Sequence, residues 1–198
     1  MRFLKSRCCC WLAAAAFLAG CGKQEHNEAV QLAKALTETK ANFASANTLE
    51  LDFVSSARAW CGGIVANGAG RGVELDQNAA VATELAKNAV AISTQLSQVR
   101  QAIDRQTLQE EYPQHVRDVL TTQLTQRQRS LQDMRALLEQ SAPQFLNFKR
   151  SNAYVGDTYP DGVAKLDALL RAYKAPDDVV GAALADLKAR YGLSDGAL

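Results

Sequence analysis

The chain has 198 residues, with 22 basic and 21 acidic side chains and a formal net charge of +1. Such near neutrality speaks against nucleic acid as a partner. The length suits one domain of ordinary size with a real hydrophobic core.

Residues 1–21 open with Arg2, Lys5 and Arg7, followed by twelve uncharged residues from Cys8 to Ala19 and the box Leu18-Ala19-Gly20-Cys21. A charged start followed by a short apolar run is the layout of a secretion signal. The run is too short to be a retained span, which needs about 20 predominantly apolar residues. With its box, this stretch resembles a bacterial lipoprotein signal peptide. The resemblance implies cleavage of residues 1–20 and a lipid thioether on Cys21, with the multiple acyl chains, palmitate among them, that make such an anchor stable. It also implies a bacterial envelope address, and Gly22 after the lipid-bearing cysteine permits passage to an outer membrane, facing the periplasm. Loss of Arg2, Lys5 and Arg7 would lower the formal charge from +1 to −2. Cys8, Cys9 and Cys10 would leave with the signal, so Cys61 would be the remaining thiol and the fold would have no internal disulfide.

Residues 21–27 then serve as lipid anchor and polar tether, and residues 28–198 as a helical bundle domain. From 28 to 61 there is no Pro or Gly, and Leu32, Leu36, Phe43, Ala46, Phe53, Ala57 and Trp60 recur at heptad-like intervals. This predicts a long amphipathic helix. Its seam carries polar faults at Thr39 and Glu50, Asn47-Thr48 is a potential bend, and Gly62-Gly63 is the expected stop. Five glycines between 62 and 72, with Asn67-Gly68, predict a loop. It lacks the Gly-Lys-Ser/Thr ending that a phosphate loop requires.

The second segment has the cleanest pattern, Ala82, Leu85, Ala89, Ile92, Leu96, Val99 and Ile103, continued loosely to Leu108. Pro113 is the expected end, with a reversal over 110–114. The third runs from 114 to 140 on Val116, Leu120, Leu124, Leu131, Met134, Leu137 and Leu138, with Arg127 on its inner face. Within it, Leu124-Thr125-Gln126-Arg127-Gln128 is similar to the Leu-Thr-x-x-Gln motif of small helical periplasmic chaperones of the stress-response type, which carry the motif twice where this chain has it once. After Pro143 the pattern breaks into a structured loop, or a short helix followed by loop, carrying Phe145, Phe148, Lys149, Arg150, Tyr154 and Tyr159. Pro160 can open a fourth helix on Val163, Leu166, Leu170 and Tyr173. Its register resumes after Pro176 with Val180, Leu184, Leu187 and Tyr191, as one kinked helix or two, closed by Gly192.

No stretch reads as strand, so the expected fold is all-α, an antiparallel up-down four-helix bundle with long helices, the fourth kinked or split near Pro176. In that arrangement the start of the first helix, the reversal and the C-terminus face the membrane. The glycine loop and the stretch after Pro143 lie at the other end, gathering Trp60, Cys61, Phe148, Arg150, Tyr154 and Tyr159 as a candidate partner surface. The alternative is that such rings cap the core. Cys61 is either a buried small hydrophobe or an exposed thiol. Glu50 and Arg127 fall at similar heights on antiparallel helices and form either a buried ion pair that sets register or two edge residues reaching solvent.

For chemistry the inventory is short. The histidines are His26 and His115 alone, and no heme, zinc-protease, hydrolase or paired Glu-x-x-His motif occurs. No catalytic residue, metal or cofactor is expected. The expected function is that of a non-catalytic, membrane-anchored envelope lipoprotein contacting another envelope protein; the alternative is a periplasmic small-ligand or chaperone-like binder.

Overall fold

The computed structural model describes residues 8–151, 159–174 and 177–198, with side chains described from residue 22 onward except that of Ala197. Among the described residues there are five α-helices and one 3-10 turn and no strand: α1 (Cys8–Asn67), α2 (Val73–Asp104), α3 (Glu111–Arg150), α4 (Asp161–Ala172), α5 (Val179–Tyr191) and the turn Asp195–Ala197.

The apolar spacings account for the faces these helices bury. Every position of the 82 to 103 pattern on α2 is buried, as are Leu32, Leu36, Phe43, Ala46, Phe53 and Ala57 on α1. On α3, Val116, Leu120, Leu124, Leu131, Met134 and Leu138 are buried as well. Thr39, a polar fault in the α1 seam, turns its hydroxyl onto the carbonyl of Ala35 at 2.8 Å and so needs no tertiary partner.

Several element ends differ from expectation. Helix α1 runs through Gly62 and Gly63 to Asn67, because Cys61 and Ile64 continue its buried seam. It stops where Gly68 takes a φ of 77° and donates its N–H to the carbonyl of Ile64 at 2.8 Å. The connection to α2 is thus 68–72, shorter than the glycine-rich stretch. Helix α2 ends at Asp104 and α3 begins at Glu111, so the reversal lies at 105–110, before Pro113. Pro113 sits in the first turn of α3, where a missing N–H removes no helix bond. Pro143 does not end α3 either, and the helix continues to Arg150. Burial of Phe145, one heptad past Leu138, favours that continuation. The fourth expected helix is two helices, α4 and α5, while Pro176 and Tyr154 lie outside the described residues. Residues 22–27, expected as a tether, are helical and belong to α1.

Two compact units divide the chain. Unit 1 gathers the chain up to Lys40 with Gln101–Thr121 and Val179–Leu198; unit 2 gathers Ala41–Arg100 and Thr122–Asp178. Unit 2 has a close helix approach at Gly162, the second residue of α4. A methyl group added there would collide with the Ser141 hydroxyl and stand 3.0 Å from the Leu137 carbonyl of α3.

Candidate functional site

Unit 2 contains a buried polar cluster centred on Glu50, which is fully buried. The Arg127 guanidinium donates to one carboxylate oxygen and the Tyr173 hydroxyl to the other. The same Arg127 nitrogen donates to Asn47 Oδ1 at 2.6 Å, and its guanidinium carbon lies 5.0 Å from the Phe43 ring centroid. Burial pushes the Glu50 carboxyl above the usual carboxylate range, with Arg127 pulling it back in part. Nearby, Arg58 grips the end of α4: its Nη2 donates to the carbonyls of Leu170 at 2.7 Å and Tyr173 at 3.0 Å. A cation on the last carbonyls of a helix both satisfies those acceptors and complements the helix dipole. Glu50 and Arg127 were legible from their seam positions, whereas Asn47 read as a bend and Tyr173 as an apolar face residue. Arg58 carried no signal, since its carbonyl partners are 112 and 115 positions away.

The five-residue stretch 124–128 works as helix packing. Leu124 is buried, and Gln128 accepts from Arg100 at 2.9 Å while donating to the carbonyl of Ser93 on α2 at 3.1 Å.

Of the aromatic and thiol residues expected at a partner surface, Trp60 is half-buried, edge-on to Phe145 at 5.9 Å, and donates its ring N–H to Asn78 at 3.0 Å. Asn78 in turn donates to the Ala69 carbonyl at 3.0 Å, so this contact organises the 68–72 connection. Cys61 is fully buried, and burial, with the charge of Asp167, pushes its thiol up to about 12. It therefore drops out of any partner surface. Phe148 and Tyr159 are half-buried and Arg150 is exposed, while Tyr154 lies outside the described residues. A hollow of about 130 Å³ lies beside α1 and α2, lined by Leu49, Phe53 and Ile92 among others. That is well under the roughly 300 Å³ of a small-molecule site.

Unit 1 holds a second polar and aromatic group, built around residues 24–28 of α1. The Tyr191 hydroxyl donates to Glu25 at 2.6 Å, and the Tyr191 ring stands 6.3 Å from His26 and 6.2 Å from Tyr112. The Arg190 guanidinium lies 3.7 Å over Tyr112, whose hydroxyl donates to Asp186. Burial and the Glu25 carboxylate push the Tyr191 phenol up to about 12. Gln24 donates to Gln109 at 3.2 Å. Glu28 accepts the backbone N–H groups of Gln109 at 2.7 Å and Glu110 at 2.8 Å, just ahead of α3. Burial alone would raise the Glu28 carboxyl, but those N–H donors and the Gln24 amide outweigh it and hold it below its ordinary value. Sequence reasoning missed this group because Tyr191 read as an apolar seam residue and residues 22–27 as tether.

Among the described residues no cluster of His, Cys, Asp and Glu is arranged to hold a metal ion. The backbone of Cys21 falls within α1, while its side chain lies outside the described set. Compared with known proteins, the chain matches no family model, no curated protein and no solved structure.

Proposed function

We propose that the chain is a bacterial envelope lipoprotein, cleaved before Cys21, held to the membrane by lipid on that residue, and working without catalysis through contacts with another envelope protein. The observation that carries this reading is the combination at the N-terminus: Arg2, Lys5 and Arg7, twelve uncharged residues, and Leu18-Ala19-Gly20-Cys21. A lipid would give membrane attachment that no described helix is long and apolar enough to give. Trp60, Phe148, Arg150 and Tyr159 of unit 2 are the contact candidates that are at least partly open to solvent. As architecture, the reading takes α1, α2 and α3 as three members of an antiparallel up-down bundle and the α4 and α5 pair as its fourth, split member.

Feeding cells radiolabelled palmitate tests the anchor. Wild-type protein should take up label and lose its first twenty residues, while Cys21→Ser should remain unlabelled and uncut. Mature protein with a free Cys21 thiol would refute the reading. For the contact, a photo-crosslinker at position 150 should trap one defined envelope protein in intact cells, and the absence of any adduct counts against it.

A further inference from the structure

We infer that unit 1 rests directly against the phospholipid headgroup layer, with Lys23, His26, Tyr112, Arg190 and Tyr191 at its lipid-facing side and no flexible stretch between anchor and fold. The inference rests on the reading of Cys21 as the lipid-bearing residue.

Distance is the first argument. The chain is helical from Cys21 onward, so Glu25 stands one turn, about 6 Å, along α1 from the anchor point. The polar layer on each side of a bilayer is itself only about 5–8 Å deep. Residues 23–26 therefore cannot clear the headgroups once acyl chains on Cys21 enter the hydrocarbon.

Attachment is the second. This turn cannot swing away from the rest of unit 1, because it is tied by Glu25 to Tyr191, by Gln24 to Gln109, and by Glu28 to the backbone of Gln109 and Glu110. Whatever depth the anchor sets for α1 is thereby set for the start of α3 and the end of α5.

The chemistry of the exposed groups suits that depth. Tyrosine rings with polar tips, and long cationic side chains with apolar stems, are the residues that tolerate the boundary between headgroup and acyl chain. Lys23, His26 and Arg190 are exposed, and Tyr112 and Tyr191 are half-buried. A guanidinium can hold a phosphate oxygen in two-pronged fashion. Around these rings Glu25 and Asp186, held on the Tyr191 and Tyr112 hydroxyls, offset the charge of Arg190 over Tyr112 and that of Lys23 two residues before Glu25. The surface is thus not a basic patch, and its contact should not require anionic lipid.

The test uses mature lipidated protein, beginning at Cys21, on vesicles of phosphatidylcholine and phosphatidylethanolamine. Nitroxide labels go onto His26→Cys, Arg190→Cys and, as a reference on exposed α2 surface, Lys87→Cys. Collision with a water-soluble nickel chelate and with oxygen reports depth. On vesicle binding, positions 26 and 190 should show a several-fold fall in nickel collisions and a rise in oxygen collisions, with position 87 unchanged and the result insensitive to salt. Protein acylated by mass whose labels at 26 and 190 stay fully aqueous overturns the inference and leaves the lipoprotein reading standing. Nickel protection without a gain in oxygen collisions means that protein covers this face, and also overturns it. Protein with unmodified Cys21 overturns both.

Discussion

Glu50 shows how a charge can be kept inside a helical protein: both carboxylate oxygens are matched, one by Arg127 and one by the Tyr173 hydroxyl. A buried ion pair adds little net stability, but deleting one member strands the other. Glu50→Ala should therefore cost about 3–5 kcal/mol in urea unfolding at neutral pH, whereas Glu50→Gln, whose amide oxygen still accepts from Arg127 while its NH2 can donate to the Tyr173 hydroxyl oxygen, should cost clearly less. Equal midpoints for Glu50→Ala and wild type would mean that the pair carries no weight. Because the folded carboxyl is raised, the folded protein binds this proton more tightly than the unfolded chain does. The proton-linked part of the Glu50 contribution is then fully present below its unfolded value of about 4.3 and is lost as pH rises through the folded value, while its bonds to Arg127 and Tyr173 act at neutral pH. Measured against Glu50→Gln, wild type should gain relative stability on acidification.

At the level of elements, the tight seat of α4 depends on Gly162 lacking a side chain. Gly162→Ala meets the Ser141 hydroxyl and the Leu137 carbonyl. It should cost about 1–3 kcal/mol of overpacking, offset by roughly 1 kcal/mol of helix propensity. Thermal melts of Gly162→Ala, Ser141→Ala and the double variant should show the double less destabilised than the sum of the singles; strict additivity would place the strain elsewhere. The helical seams themselves were open to reading, because a period of three and four is written in the residues that pack. The α2 seam from Ala82 to Ile103 is buried at every position read for it. Helix ends were harder, since Gly62, Gly63 and Pro143 are local breakers overruled by tertiary burial of Cys61, Ile64 and Phe145. Of the Glu50 cluster, its two charged members were visible as faults in an apolar pattern. Tyr173 and Arg58 were not, because a phenol suits an apolar seam and carbonyl ligation at long range leaves no periodic trace. Gly162 gave no sign of its role, which depends on what lies opposite.

For the molecule as a whole, the two units are built from interleaved segments, so neither can be cut out at a single connection. Helix α5 belongs to unit 1 and brings it the buried Val180, Leu184 and Leu187. A chain ending at Asp178 should lose amide exchange protection over 28–40 and 101–121 and keep it over 43–66 and 122–150. Unchanged protection in the first two segments would show that unit 1 does not need α5.

This interleaving also permits an order of assembly. Every residue of unit 2 lies before Val179, while unit 1 needs the final twenty residues to close. A chain emerging N-terminus first can therefore complete unit 2 while its own beginning still waits for its end. For as long as the last stretch is held back by the ribosome, Glu25 lacks Tyr191 and unit 1 lacks the buried face of α5. Closure of unit 1 is therefore timed by release of the C-terminus as well as by local sequence.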